Sequence, residues 1–256
     1  MTWLYIKYIM TLSYLCIGAE LKYDYIECLL LVQAGDKNGG ELMNEIVTEV
    51  WGDFACFAPP YAKVERLSYP FPTPSAARGI LSAIYSKPAE FYWQVNRIEV
   101  LSPIRYISFK RNEVKSKTSD KYLYADEDRT QRLTVALKDV RYRIAASIVP
   151  RPEFTGSEAQ LTDQALRRIR GGKNYMQPSL GLKEFVAYYE EAGDTPPIGE
   201  DLDAGLMLYD IFDLHDYAVR KKTRPRLSLF HAVMKHGVIE VPPYDSPEVL
   251  KGAEVC

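Results

Sequence analysis

The sequence is poor in the residues from which metal sites and disulfide frameworks are built. Its 256 residues include four cysteines (Cys16, Cys28, Cys56, Cys256) and three histidines (His215, His231, His236). No two cysteines form a CxxC, and no histidine lies near a cysteine. That spacing argues against a zinc motif and a disulfide framework, and thiols used this way fit a reducing, cytoplasmic setting. An apolar run long enough to cross a bilayer as a helix, about 20 residues, is also missing. Met1–Ala19 is apolar and tyrosine-rich, so it invites a reading as a signal peptide or short membrane segment. Lys7 interrupts it, however, and the next run, Ile26–Val32, is shorter still. The segment 1–42 therefore reads as upstream sequence from an early start, with Met43 as the natural first residue. No internal repeat and no low-complexity tract is present.

Net charge is almost absent too: 32 Lys and Arg stand against 34 Asp and Glu, giving −2. The chain as a whole is not a basic nucleic-acid binder. The charges are segregated, however. Arg105–Arg151 holds twelve basic residues against six acidic, and Gln164–Lys173 holds four basic and no acidic residues. Glu184–Asp216 holds ten acidic residues and no Lys or Arg, whereas Arg220–Arg226 holds five basic residues in seven. Such blocks predict a basic and an acidic surface on one body, or else solvated charge without a partner. With 47% hydrophobic residues, the chain can bury a core.

Glu45–Phe57 reads as a first strand, with Gly52-Asp53 as a bulge or bend. The clearest helix is Thr73–Ser86. Thr73 is an N-cap, Pro74 suits the first helical position, and Ala77, Ile80, Leu81 and Ile84 form an apolar stripe. Lys87-Pro88 stops it. Strands are expected at Gln94–Ile104, Arg105–Val114 and within Thr130–Val149, followed by a basic helix, Leu161–Ile169, ended by Gly171-Gly172. Further strands fall near Gly181–Tyr189, Gly205–Leu214 and Arg226–Val241. The order departs only slightly from the βαββαβ ferredoxin-like plan. The fold class expected is α+β: a ferredoxin-like domain over 43–180 and a small antiparallel β-sheet domain over 181–256.

Several long words in this order resemble one family: VWGDFACF at Val50–Phe57, KVERLSYPFPTPSAARGILSAIYSKP at Lys63–Pro88, and LSPIRYISFKRNEV at Leu101–Val114. EDRTQRLTVALKDVRYRIAA at Glu127–Ala146, PSLGLKEF at Pro178–Phe185 and GLMLYDIF at Gly205–Phe212 continue it. They resemble the subtype I-C (Dvulg-type) branch of the fifth Cas family of CRISPR-associated RAMP proteins, over about Val50 to Pro243. The resemblance implies an RRM-like N-terminal domain and a small β-sheet domain. It implies binding to CRISPR repeat RNA, endoribonuclease cleavage of the precursor, retention on the 5′ handle of the guide RNA, and partner subunits in a type I-C surveillance complex.

Cleavage of that kind needs neither metal nor cofactor. The 2′-hydroxyl attacks the adjacent phosphate, and side chains orient it, stabilise the phosphorane and protonate the leaving 5′-oxygen. Tyr85, in AIYSKP, matches the family's catalytic tyrosine; a packed aromatic at a helix end is the other reading. A phenol, with a reference pKa of about 10, orients a 2′-hydroxyl better than it acts as a free base. The resemblance implies that processing members of this branch carry an adjacent Lys-His pair before the basic helix. Here the matching stretch is Ser157-Glu158-Ala159-Gln160, with neither. Lys173, after Gly171-Gly172, is offered as a replacement, and Arg168 and Arg170 are alternatives. His231 and His236 read as structural, and His215 lies in the acidic region. For RNA binding the candidates are Lys63, Arg66, Arg78, Lys110, Arg111, Arg167, Arg168 and Arg170. Tyr69, Tyr106 and Phe109 are the nearby aromatics, since cations neutralise phosphates while rings stack on splayed bases. A sheet with charged outer positions would look the same. Two functions follow: a metal-independent nuclease, or an RNA-binding subunit without catalysis.

Overall fold

A single strand of 22 residues, Arg129–Pro150, organises the sheet. The protein is seen in a computed structural model that describes residues 45–62, 64–116, 124, 126–215 and 226–252. Segment 1–42, Lys63 and residues 220–225 lie outside the described residues, and so do the expectations placed on them. In chain order the elements are β1 (Ile46–Ala55), β2 (Arg66–Leu67), α1 (Pro74–Ile84), β3 (Phe91–Val100), β4 (Tyr106–Val114), β5 (Arg129–Pro150) and α2 (Glu158–Arg170). There follow β6 (Tyr188–Glu191), β7 (Leu202–Asp210), β8 (Ser228–Lys235), β9 (Val238–Glu240) and β10 (Leu250–Lys251).

The sheet runs β10-β8-β9-β3-β5-β1-β6, with β2 and β4 also on β5 and β7 on β8. Every pairing is antiparallel except the short β2–β5 ladder. The β structure after α2 is not detached: β9 pairs with β3, so one sheet crosses both parts of the described chain. Asn44–Cys256 forms one compact unit.

Local chemistry explains the helices. Thr73 accepts the Ala76 N–H at 3.1 Å, and Pro74 opens α1. Ala77, Ile80, Leu81 and Ile84 are buried, as their spacing predicts. Each large apolar side chain so buried contributes roughly 1.5–3 kcal/mol. α1 lies against β3 and β7, while α2 lies against β1, β5 and β6, and the helices touch each other.

Four sequence expectations need correction. Gly52 does not bulge: Gly52 pairs with Val140 and Phe54 with Lys138 in unbroken register. Glycine is required there because a Cβ would stand 2.6 Å from Leu180 Cδ1 and 2.7 Å from the Val186 carbonyl. The positive φ of 51° falls across the ladder, at Asp139. Gly181–Tyr189 is mostly turn; only Tyr188–Glu191 forms a strand, because Gly181 takes φ 84°. Arg226–Val241 is two strands, turned at His236 and Gly237 with φ 52° and 77°. The third strand starts at Phe91 and ends at Val100, not Ile104. No helix among the described residues is long and apolar enough to cross a membrane.

Candidate functional site

Tyr85 is the C-cap of α1, in extended backbone at φ −145° and ψ 120°. Its N–H donates to the Leu81 carbonyl at 2.8 Å, and its own carbonyl accepts from Trp93 Nε1 at 2.9 Å. The ring is tilted against Phe91 with centroids 5.3 Å apart. Only 3% of the residue is exposed, so it is a member of the core as well as a site candidate. Its hydroxyl donates to Gln164 Oε1 at 2.8 Å. The Arg168 guanidinium stands 5.7 Å from the ring centroid. The Lys87 ammonium, held by Glu90 at 2.9 Å, is the cation with the strongest electrostatic pull on the same phenol. Burial pushes the Tyr85 hydroxyl above its ordinary pKa, and the Lys87 ammonium only partly offsets this. The phenol is therefore neutral at neutral pH and can act as a hydrogen-bonding group.

Helix α2 brings its basic end to the same place. Gly171 caps it and Gly172 takes φ 60°. The Gly172 N–H donates to Ile169 O at 3.1 Å, and the Lys173 N–H to Arg168 O at 2.9 Å. These two bonds are those of a Schellman motif, which satisfies the last carbonyls of the helix and turns the chain back. The following residues are then tied to the end of α1: the N–H groups of Tyr175 and Met176 both donate to Ala83 O, at 2.8 and 3.0 Å. Lys173, Tyr175 and Met176 are exposed. Around the end of α1 the fold thus gathers a neutral phenol, an amide and the cations Lys87 and Arg168, with exposed Lys173 on the connecting loop. Such a set can orient a hydroxyl and hold a phosphate.

The model of the CRISPR-associated protein family Cas5 (Cas5d) matches residues 45–242. The chain belongs to the Cas5d family. It is similar to the CRISPR pre-crRNA endoribonuclease Cas5d of Thermus thermophilus, 39% identical over 212 residues, covering 78% of this chain and 92% of the relative. The enzyme of the same name from Mannheimia succiniciproducens is 38% identical over 233 residues, covering 81% and 99%. Two crystal structures share the fold. A functionally uncharacterized Streptococcus mutans protein has TM-score 0.57 at 21% identity, covering 80% of this chain and 96% of that one. A CRISPR-associated protein has TM-score 0.58 at 23% identity, covering 80% and 95%.

In this Cas5d family member the remaining candidates do not converge on Tyr85. Arg66 and Arg111 share Glu184 and Glu113 with Arg132: Arg66 Nη1–Glu184 is 2.8 Å, Arg111 Nη2–Glu113 3.1 Å and Arg132 Nε–Glu113 3.3 Å. Arg111 also pairs with Glu184. Three guanidiniums against two carboxylates leave one positive charge there. Lys110 and Arg111 point to opposite faces of β4, because side chains alternate along a strand. Lys110 and Tyr106 face solvent, whereas Phe109 packs edge-on against Phe54 and Phe185. Arg78 is committed to buried Asp210 by bonds of 2.8 and 2.9 Å. Arg167, Arg168 and Arg170 splay around the helix: Arg170 holds Glu191 at 2.7 Å, Arg168 faces Tyr85, and Arg167 is exposed. The three histidines each meet an aspartate (His215–Asp245, His231–Asp203, His236–Asp201) at 2.9, 2.7 and 2.8 Å. Sequence reasoning missed Gln164 and Lys87. Gln164 lies one helical turn beyond Gln160 and one before Arg168, a spacing that puts all three on one side of α2.

Proposed function

We propose that this chain cleaves the precursor transcript of CRISPR guide RNAs by metal-independent attack of a 2′-hydroxyl. It then holds the 5′ handle of the guide within a type I-C surveillance complex. One observation carries the reading: a chain 38–39% identical to pre-crRNA endoribonucleases has a tyrosine at the end of α1, hydrogen-bonded to Gln164 and faced by the Arg168 guanidinium. In the reaction the 2′-oxygen bonds to the adjacent phosphorus and the bond from phosphorus to the 5′-oxygen breaks. The products carry a 2′,3′-cyclic phosphate and a 5′-hydroxyl. One proton leaves the 2′-oxygen and one reaches the 5′-oxygen. Tyr85 orients the attacking hydroxyl, while Arg168 and Lys173 stabilise the charged phosphorane. Arg167, Lys110 and the one net positive charge of the Arg66–Arg111–Arg132 cluster hold flanking phosphates.

The strand order β6-β1-β5-β3 with α1 and α2 supports a ferredoxin-like domain; because its fourth strand is Tyr188–Glu191, that domain runs past residue 180 and the β appendage starts after it. A second reading is a handle-holding subunit without catalysis. The 3% exposure of Tyr85 and the lack of Lys or His at 157–160 favour it. The deciding experiment incubates the whole chain with its own CRISPR repeat RNA in EDTA, beside Tyr85→Phe. Cleavage to the two stated ends, lost by about 10²–10⁴-fold in the variant with binding kept, supports the nuclease. Tight binding of intact RNA by the wild type supports the second reading.

A further inference from the structure

A phenol hydroxyl has one proton to give and lone pairs to receive others. At Tyr85 the proton is spoken for, since it is donated to Gln164 Oε1 at 2.8 Å. The ring has little freedom to turn elsewhere. Phe91 lies against it, the Arg168 guanidinium stands over it, and the backbone of Tyr85 is bonded at both N–H and carbonyl. Gln164 is equally well placed: its neighbours Leu161 and Ala165 are buried in the core, so the helix presents its amide from a rigid frame.

We propose that Gln164 is the positioning residue of this site. By taking the phenol proton it leaves the Tyr85 oxygen as an acceptor toward RNA. Tyr85 then orients the 2′-hydroxyl and does not protonate the leaving 5′-oxygen, which receives its proton from a lysine ammonium at the rim. No bond to Gln164 forms or breaks in the reaction. The inference rests on the nuclease reading above and explains how a chain without the Lys-His pair sets its tyrosine.

The test uses the whole chain and a synthetic RNA of its CRISPR repeat, in EDTA, under single-turnover conditions with saturating protein. Gln164→Leu removes the acceptor and slows cleavage roughly five- to tenfold, with the Kd for RNA within about twofold of wild type. In a Tyr85→Phe background the same substitution has no further effect. Gln164→Glu, which when ionised can only accept, cleaves at close to the wild-type rate at neutral pH. It slows as pH falls through the carboxylate range. Three results overturn the inference alone: Gln164→Leu as fast as wild type, Gln164→Glu as slow as Gln164→Leu, or losses that multiply with Tyr85→Phe. Wild-type protein that binds the RNA and leaves it intact overturns the nuclease reading and this inference with it.

Discussion

At the scale of the residue, Tyr85 shows how one side chain serves both packing and chemistry. Its ring belongs to the core, its backbone closes a helix, and its hydroxyl is bonded to Gln164. Burial raises the phenol above its ordinary pKa of about 10. The neutral form therefore persists at every pH below that. Cleavage is expected to show no rise that tracks phenolate formation between pH 6 and about 10. A pH–rate profile beside a phenolate absorbance titration of wild type and Tyr85→Phe checks this. A rate that climbs with the Tyr85 phenolate would make it a base instead of an orienting group.

At the scale of the element, loops are held by backbone geometry that few residues can adopt. Gly181 has φ 84°, and a Cβ there would stand 1.9 Å from the Cys56 carbonyl. The close approach lets the Cys56 N–H donate to Leu180 O at 3.0 Å and seats the loop on the end of β1. Gly181→Ala is expected to be destabilising by more than the roughly 1 kcal/mol of an ordinary strained position, because backbone meets backbone. Thermal unfolding measures it, and a Tm within a degree of wild type would refute the close approach. Elements were readable from local signals wherever those signals were strong. Thr73-Pro74 with its apolar stripe, and Gly171-Gly172 after α2, both fall where their chemistry predicts. Gly181–Tyr189 failed as a strand because its alternation of apolar residues says nothing about the φ that Gly181 adopts.

At the scale of the whole molecule, charge decides what holds the protein together and what meets a partner. The Arg78–Asp210 pair ties α1 to the end of β7, and Asp210 is 2% exposed. Arg78→Ala leaves that carboxylate buried with, among the described residues, the backbone N–H groups of Ile211 and Phe212 as its hydrogen-bond partners. A loss of about 3 kcal/mol in chemical denaturation is expected. RNA affinity in the folded protein should keep its salt dependence, and a flatter salt dependence would return Arg78 to the RNA-binding set. Arg167 and Lys173 behave in the opposite way. They are exposed and make no ion pair among the described residues. Each change to Ala should leave Tm nearly unaltered and reduce the slope of log affinity against log salt by about 0.7. Unchanged slopes would remove both residues from the interface.

The sequence alone determined the class of the fold, the end of α1 and its tyrosine, and the family to which the chain belongs. These rest on periodicity, capping and long runs of matched residues, which are properties of neighbours along the chain. Only the tertiary structure decided which cations are available. Arg78 finds Asp210 across 132 positions, Arg66 finds Glu184 across 118, and Tyr85 finds Gln164 across 79. A side chain's partner depends on which strands and helices come together, and no local pattern carries that distance. The same arginine reads alike in a sequence whether a buried carboxylate holds it or water does, and burial in the folded chain separates the two.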